Sequence, residues 1–187
     1  MVTKRWAKPT IVGSQVTLQP FSPDHLPAIW EMINDPEGND LTATDEVFSF
    51  AQVEQWYGTR NDADERLDLA IIENATGEWA GEVVLNEYQT KNDEREEAEQ
   101  ASFRISLRGP AWFGRGLGTE ATDLIVAHGF DHVGLDRIVL EVLARNPRAR
   151  RAYEKAGFHV TGTKAEDGED WIEMAIERTG PGGGGAG

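Results

Sequence analysis

Three alternating glycines, Gly114, Gly116 and Gly118, stand between a strand-like segment and a helix pattern that opens at Thr119. Because glycine has no Cβ, a turn built in this way can expose several backbone N–H groups. The first turn of the following helix adds unpaired N–H donors and the positive end of the helix dipole. This order of elements predicts a strand, a turn and a helix N-terminus that together bind a phosphate or pyrophosphate group.

The two common nucleotide motifs do not fit this turn. A Walker A loop places Lys before its Ser or Thr, whereas Gly118 precedes Thr119 here. A dinucleotide-binding fingerprint has a third glycine at the offset where this chain has Ala121. The sequence therefore disfavours ATP and NAD as ligands. An ordinary strand-to-helix turn without a ligand is the other interpretation of this segment taken alone.

A second strand-to-helix unit follows at residues 137–158. An apolar strand rich in β-branched residues leads to Asn146, a good helix N-cap, and Pro147 occupies the first helical position, where its missing N–H costs nothing. Gly157 is placed to end the helix.

Together the two units closely resemble the GNAT superfamily of acyl-CoA-dependent N-acyltransferases. Gly116-Leu117-Gly118 matches the end of the acyl-CoA motif of this family, and Asn146 with residues 153–158 matches a later motif. Phe113 stands where many members have Gln or Arg, and Ala149 stands where many have Ser. An aromatic residue at the first of these positions is familiar in the branch that contains the ribosomal-protein-alanine N-acetyltransferases and some aminoglycoside 6′-N-acetyltransferases.

The resemblance implies an α/β (α+β) fold with a mixed, mostly antiparallel sheet of six to seven strands and about four helices. In this family the fourth and fifth strands splay apart, and the pantetheine arm of the cofactor lies in the gap, where unpaired strand edges offer N–H and C=O groups. Here these strands would be residues 100–107 and 137–143. Acetyl-CoA is the implied cofactor, and its expected contacts are Ile105, Ser106, Leu107, Gly114, Arg115, Gly116, Leu117, Gly118, Thr119, Asn146, Arg151 and Tyr153.

The resemblance also bears on catalysis. An alkylamine acceptor is almost wholly protonated at pH 7, so a carboxylate or a water chain must take its proton. Glu82 and Glu141 compete for this role, and each could instead be the solvent-facing residue of an alternating strand. Tyr153 lies where many relatives carry a tyrosine that protonates the departing thiolate, and packing against the sheet is its other interpretation. Ser102 stands where several protein N-acetyltransferases have Glu.

The implied activity is transfer of an acetyl group from acetyl-CoA to a primary amine, with a protein N-terminus of the ribosomal-protein type or another cationic amine as the acceptor. A small-molecule acetyltransferase of the aminoglycoside or polyamine type and a non-catalytic acyl-CoA-binding sensor are the alternatives. The net charge of −15, with acidic residues at Asp45, Glu46 and 93–99, favours cationic acceptors and disfavours nucleic-acid partners.

The dense basic residues of the chain form one cluster beside Asn146. Contact of one or two of them with the phosphates of the cofactor is one interpretation, and a solvated helix face is the other. The cluster consists of Arg145, Arg148, Arg150 and Arg151.

Other kinds of site have little support. The chain has no cysteine, which excludes disulfides and thiolate chemistry. His128 and His132 lie four residues apart without the Glu of a zinc protease motif, so no metal is predicted. No window is apolar enough to span a membrane and no signal peptide is present, so we expect a cytoplasmic protein without a membrane partner. We further expect a monomer or a homodimer.

The length of 187 residues and the composition predict one domain over residues 1–179, and the low-complexity glycine content predicts a flexible tail at residues 180–187. The further predicted elements are strands at residues 16–20, 67–73 and 78–88, helices at 24–34 and 50–59, and a final hairpin within 159–176.

Overall fold

The computed structural model describes residues 6–44, 46–90 and 98–179. Its centre is an eight-stranded sheet in the order β1-β2-β3-β4-β5-β6-β8-β7. All neighbouring strands are antiparallel except β5 and β6, which are parallel. The strands are β1 (Ile11–Val12), β2 (Val16–Gln19), β3 (Leu67–Glu73), β4 (Trp79–Gln89), β5 (Gln100–Leu107), β6 (Arg137–Leu143), β7 (His159–Glu166) and β8 (Glu169–Glu177).

Five α-helices accompany the sheet, and their N-termini follow the local sequence. The Oγ of Ser49 caps the helix that starts at Phe50, and the Oδ1 of Asn146 caps the one that starts at Pro147. The helices are α1 (Leu26–Ile33), α2 (Pro36–Asp40), α3 (Phe50–Gly58), α4 (Leu117–His128) and α5 (Pro147–Lys155). A π-helical turn, Gly129–Val133, continues α4.

Side chains on the two faces of the sheet belong to two separate cores, because successive residues of a strand point to opposite sides. One face, which we call the α4 face, packs against α4, and Phe103 and Ile125 belong to its core. The other, which we call the α3 face, packs against α1 and α3, and Ala70, Ile29 and Tyr57 belong to its core. The sheet therefore lies between two helical layers in the half formed by β2 to β5.

The sheet opens between β5 and β6. Only three residue pairs join these strands, and the last of them is Ser102 with Val139. Beyond that pair, residues 103–107 of β5 continue alongside β4, whereas residues 140–143 of β6 continue alongside β8. The two strands thus diverge, and each leaves one edge without a strand partner.

The predicted fold is confirmed, including the divergence of the two strands at residues 100–107 and 137–143. They are the fifth and sixth strands rather than the fourth and fifth, because the two-residue strand β1 precedes them. Such a short strand carries no periodicity. Helix α2 was also not predicted, since its sequence Pro-Glu-Gly-Asn-Asp has no apolar face. The predicted glycine-rich tail at residues 180–187 lies outside the described residues.

Candidate active site

The glycine-rich turn connects the open edge of β5 to the N-terminus of α4. Gly114 and Gly116 have φ of +69° and +83°, a left-handed conformation that side chains with a Cβ rarely adopt. Gly116 is the N-cap of α4, and no side chain caps this helix. The amides of Leu117, Gly118 and Thr119 are therefore free of intrahelical and capping bonds, which suits a pyrophosphate.

Gly118 serves a different purpose from the two glycines before it. A Cβ at this position would lie 3.4 Å from Cδ1 of Leu107 and 3.7 Å from Cδ1 of Ile105. The missing side chain lets the first turn of α4 pack closely on β5. Because Ile105 and Leu107 turn their side chains to α4, their contribution to a bound cofactor is their backbone.

The open edges of β5 and β6 fit the pantetheine arm of the cofactor. An unpaired strand edge presents N–H and C=O groups, and the arm carries amides that can bond to them as a strand would. The turn with its uncapped helix lies at one end of this gap. Ile105, Ser106 and Leu107 lie on the unpaired part of β5, as their predicted role requires.

The arginine cluster predicted near the phosphates is divided by the structure. Arg145 binds Asp40 at 3.0 Å and Glu169 at 3.0 Å, so it holds α2 against β8 and does not face the turn. Arg150 pairs with Glu154 on the same helix. Arg151 is exposed and makes no ion pair with a described residue, so it is available to an anion.

Arg148, which the sequence did not distinguish from its neighbours, lies beside the glycine-rich turn. Its guanidinium stands 3.9 Å above the ring of Phe113, the residue that precedes Gly114. This contact brings the start of α5 to the glycine-rich turn and places a positive charge there. The sequence pattern could not indicate this contact, because the contact joins residues of two separate motifs.

Two of the predicted cofactor residues, Arg115 and Asn146, use their side chains in contacts within the protein. The side chain of Arg115 binds Glu73 and lies 5.1 Å from the ring centroid of Trp112, so only its backbone is available to the cofactor. Asn146 accepts a hydrogen bond from the amide of Ala149 at 3.2 Å and thereby caps α5. It shapes the site through the start of that helix.

Tyr153 lies on the α4 face, at the point where the strands begin to diverge. Its ring centroid is 6.1 Å from Phe103 of β5 and 6.1 Å from Phe158. Burial raises the pKa of Tyr153 to about 12, so the hydroxyl stays protonated at physiological pH. It has no hydrogen-bond partner among the described residues. The predicted packing role and the predicted role as a proton donor are compatible here.

Glu82 lies on the opposite, α3 face. It stands directly across from Ser106 of β5 in the ladder, and the Oη of Tyr57 donates a hydrogen bond of 2.6 Å to its Oε2. Burial raises the pKa of Glu82, although the Tyr57 hydrogen bond and then the charge of Arg104 lower it in part. A partly buried carboxyl with a raised pKa has the properties of a general base at neutral pH.

Glu141 is differently placed. Its side chain is 46% exposed, and Nζ of Lys164 lies 3.0 Å from its Oε1. The hydrogen bonds with Glu166 and then Glu141 raise the pKa of Lys164, so this lysine stays charged and neutralises its partner. Of the two predicted bases, Glu82 therefore has the more suitable surroundings.

Tyr57 was not identified from the sequence. It is buried in the α3 core, and burial followed by the charge of Glu82 raises its pKa far above the ordinary value, which keeps it a donor. Asp68, also buried, is held by Arg66 through two hydrogen bonds of 2.7 Å. The sequence predicted a helix over residues 50–59, but nothing in it linked Tyr57 to Glu82.

The remaining predictions concern a metal site, a membrane span and the acidic surface. His128 and His132 stack at 4.9 Å, and the described residues contain no group of three or more potential ligands for a metal ion. Within the same residues, no helix is long and apolar enough to cross a bilayer. Asp45 and residues 93–97 of the predicted acidic surface lie outside the described residues.

Comparison with known proteins agrees with the geometry. Residues 15–159 match the family model described as an acetyltransferase (GNAT) domain. The human alpha/beta-tubulin-N-acetyltransferase 9 is 20% identical over 90% of this chain and 84% of its own length. The spermidine N(1)-acetyltransferase of Escherichia coli K12 is 27% identical over 79% of this chain and 74% of its own.

A solved structure has the same fold. The spermidine N-acetyltransferase of Vibrio cholerae, in complex with CoA and spermine, superposes with a TM-score of 0.76 at 23% identity, covering 88% of this chain and 96% of the other.

Proposed function

Since this chain belongs to the GNAT acetyltransferase family and its cofactor is acetyl-CoA, we propose that Glu82 and Tyr153 carry acetyl transfer to a primary amine, with a peptide N-terminus as the first acceptor to test. The observation that carries the proposal is the placement of a proton acceptor and a proton donor on opposite faces of the sheet: Glu82 lies across from the unpaired part of β5, and Tyr153 lies where β5 and β6 diverge. Acetyl-CoA supplies an activated acyl group as a thioester.

The proposed binding mode uses the elements around the gap. The unpaired backbone of residues 105–107 holds the pantetheine arm, and the amides of the turn from Gly114 to Thr119 hold the pyrophosphate. Arg148 and Arg151 add positive charge near the phosphates. Because α4 and α5 cover the α4 face, the acceptor approaches from the α3 face.

The proton transfers follow from this arrangement. An acceptor amine with a pKa near 10 arrives protonated, and only its neutral form attacks a carbonyl carbon. Glu82, one strand away from the gap, takes this proton through a water molecule. Tyr153, on the other face, supplies a proton to the departing thiolate. A neutral phenol can do this in a partly apolar site, where a charged acid would be costly to bury.

Two acceptor classes have separate support. The human relative named for tubulin acetylation and the aromatic Phe113 favour a protein N-terminus, including the ribosomal-protein type. The spermidine acetyltransferase from Escherichia coli and the net charge of −15 favour a polyamine. We propose the protein N-terminus as the acceptor, with the polyamine as the alternative.

The test is release of free thiol from acetyl-CoA in the presence of an acceptor panel of peptides with free N-termini, spermidine and an aminoglycoside. Glu82→Gln should lower kcat/KM with the true acceptor by roughly 10² to 10⁴-fold and remove the acidic limb of its pH profile. Glu141→Gln is the matched control and should retain the limb. If none of the acceptors causes thiol release although the protein binds coenzyme A, the non-catalytic sensor replaces the proposal.

A further inference from the structure

Arg104 is a charged side chain that takes no part in the proposed proton transfers, although its charge lowers the pKa of Glu82. It lies on β5 opposite Val84, two residues beyond the last pair with β6, and so beside the unpaired edge. Since its neighbour Phe103 packs in the core of the α4 face, Arg104 points to the α3 face, the side of acceptor entry. The side chain is exposed and forms no hydrogen bond or ion pair with a described residue.

An unpaired guanidinium in this place is notable because nearby arginines have carboxylate partners. Arg66 binds the buried Asp68, and Arg108, four residues further along the chain, lies 3.5 Å from Glu31. The whole chain carries 33 acidic residues against 18 Lys and Arg. Arg104 makes no ion pair with a described residue, although its charge acts on the carboxyl of Glu82.

A second guanidinium without a carboxylate lies on the same side. Arg60 stands 4.3 Å above the ring of Trp56, which contacts Tyr57, the partner of Glu82. Burial and then the charge of Arg66 lower the pKa of Arg60, Asp68 raises it, and Arg104 lowers it to a smaller extent. Arg60 and Arg104 therefore lie within electrostatic range of one another, on a face that also carries Arg66 and the carboxyls of Asp68 and Glu82.

We propose that Arg104, assisted by Arg60, binds a carboxylate of the acceptor, and that the acceptor is a peptide whose second residue is Asp or Glu. This inference rests on the proposed acetylation of a primary amine beside Glu82. A planar guanidinium binds a carboxylate through two parallel hydrogen bonds, which gives orientation as well as affinity.

The spacing along β5 selects this acceptor over a free amino acid. Arg104 is two residues from Ser106, the position across from Glu82, and a strand rises about 3.3 Å per residue, so amine and carboxylate should be separated by roughly 7 Å. In a free amino acid the carboxylate lies within about 4 Å of the amine. The acidic side chain of the second residue of a peptide reaches the larger distance.

The overall negative charge does not oppose this local preference. At physiological ionic strength, exposed charges more than about 8 Å apart are largely screened. The net charge governs the approach of the acceptor, whereas the guanidinium of Arg104 acts on the bound acceptor.

The experiment compares three peptides that differ only at the second residue: Ala-Asp, Ala-Asn and Ala-Lys, each followed by the same neutral sequence, with free aspartate and spermidine as further acceptors. For the unmodified protein we expect kcat/KM to be about tenfold higher for the Asp peptide than for the Asn peptide. Arg104→Gln should remove this ratio. Because the charge of Arg104 also lowers the pKa of Glu82, the substitution should move the acidic limb of kcat/KM to higher pH with every peptide, so the Asp-to-Asn ratio is compared at a pH above that limb in both proteins.

Arg104→Glu provides a second measurement that does not depend on loss of activity. It should reverse the preference, so that the Lys peptide becomes the better substrate. Arg178→Gln is the control, since it changes the net charge equally at an exposed position near the end of β8. Its Asp-to-Asn ratio should equal that of the unmodified protein.

The outcomes separate this inference from the proposed function. If the protein acetylates peptides but the Asp-to-Asn ratio is near one, or if Arg104→Gln lowers all substrates equally, the carboxylate site is wrong and the acetyltransferase function stands. Preference for free aspartate would refute the peptide assignment, and preference for spermidine would refute the carboxylate site. If no amine is acetylated, both proposals fail.

Discussion

Replacement of Tyr57 by Phe tests whether the Tyr57–Glu82 hydrogen bond sets the working pH of the enzyme. The bond is short, at 2.6 Å, and its acceptor is a partly buried carboxylate. Hydrogen bonds to a charged group contribute about 1.5 to 3 kcal/mol, and one pKa unit corresponds to about 1.4 kcal/mol. The substitution should therefore raise the pKa of Glu82 by roughly one to two units.

The direction of the effect on activity follows from the role of Glu82. The base works only when it is deprotonated, so a higher pKa moves the acidic limb of the kcat/KM profile to higher pH. At a pH on this limb, we expect activity to fall at least about tenfold, whereas at high pH the mutant should approach the unmodified protein. The measurement is kcat/KM from pH 5.5 to 9.5 with one acceptor.

Stability provides an independent readout of the same shift. A carboxyl whose pKa is raised by folding binds protons more tightly in the folded state, so the free energy of unfolding falls as pH rises from the unfolded pKa through the folded pKa. Tyr57→Phe should widen the gap between the unfolded and the folded pKa of Glu82. The free energy of unfolding that the variant loses relative to the unmodified protein should therefore grow between pH 4 and pH 8. The ring packing on Phe21, at 4.9 Å, is retained.

A matched control is available in the same sheet. Tyr88 also donates its hydroxyl to a carboxylate, that of Glu99, and Tyr88→Phe should leave the acidic limb in place. If Tyr57→Phe binds coenzyme A and folds but its limb does not move, while Glu82→Gln still abolishes the limb, the hydrogen bond does not tune the base and this reasoning is refuted.

Three further substitutions address the cofactor and the turn. Tyr153→Phe should lower kcat by roughly 10 to 10³-fold with little change in coenzyme A affinity by calorimetry, and unchanged turnover on an acceptor with rate-limiting chemistry would leave Tyr153 as a packing residue. Gly116→Val should raise the Kd for coenzyme A at least about tenfold, whereas Gly134→Val, equally strained at φ of +85° but placed after the π-helical turn at the other end of α4, should affect only stability. Glu120 accepts hydrogen bonds from Ser14 and from the amides of Gln15 and Val16, and these bonds outweigh desolvation and lower the pKa of Glu120. The Tm deficit of Glu120→Gln should therefore be full above pH 5 and shrink as pH falls below 4. A deficit independent of pH would contradict this.

The sequence predicted most of the architecture because its elements are long and strongly patterned. The strands at residues 67–73, 100–107 and 137–143 have the predicted bounds, since β-branched residues and clear turn signals delimit them. The start of α5 followed from Asn146 and Pro147. Elements without a periodic pattern, β1 and α2, could not be found in this way.

The cofactor site was predictable in outline because its turn is local, whereas the acceptor side was not. The pairing of Tyr57 with Glu82 joins residues 25 positions apart in the sequence, and the contact of Arg148 with Phe113 joins two motifs. Such contacts arise from strand register and helix packing, which single-sequence patterns do not specify. The roles of Gly114, Gly116 and Gly118 also look equal in sequence, yet only the first two require a left-handed backbone.

The three-pair junction between β5 and β6 has a consequence for the cohesion of the molecule. The portion from β1 to β5 and the portion from β6 to β8 share few rungs of backbone hydrogen bonding, and the ion pair of Arg145 with Asp40 is one of the polar ties across them. A cofactor whose arm forms hydrogen bonds with both edges would join the two portions for as long as it is bound. Its binding should slow amide hydrogen exchange on both sides of the gap at once, and its departure should let the two portions breathe more independently. In this protein the molecule consumed in each catalytic cycle would also be the element that completes the sheet.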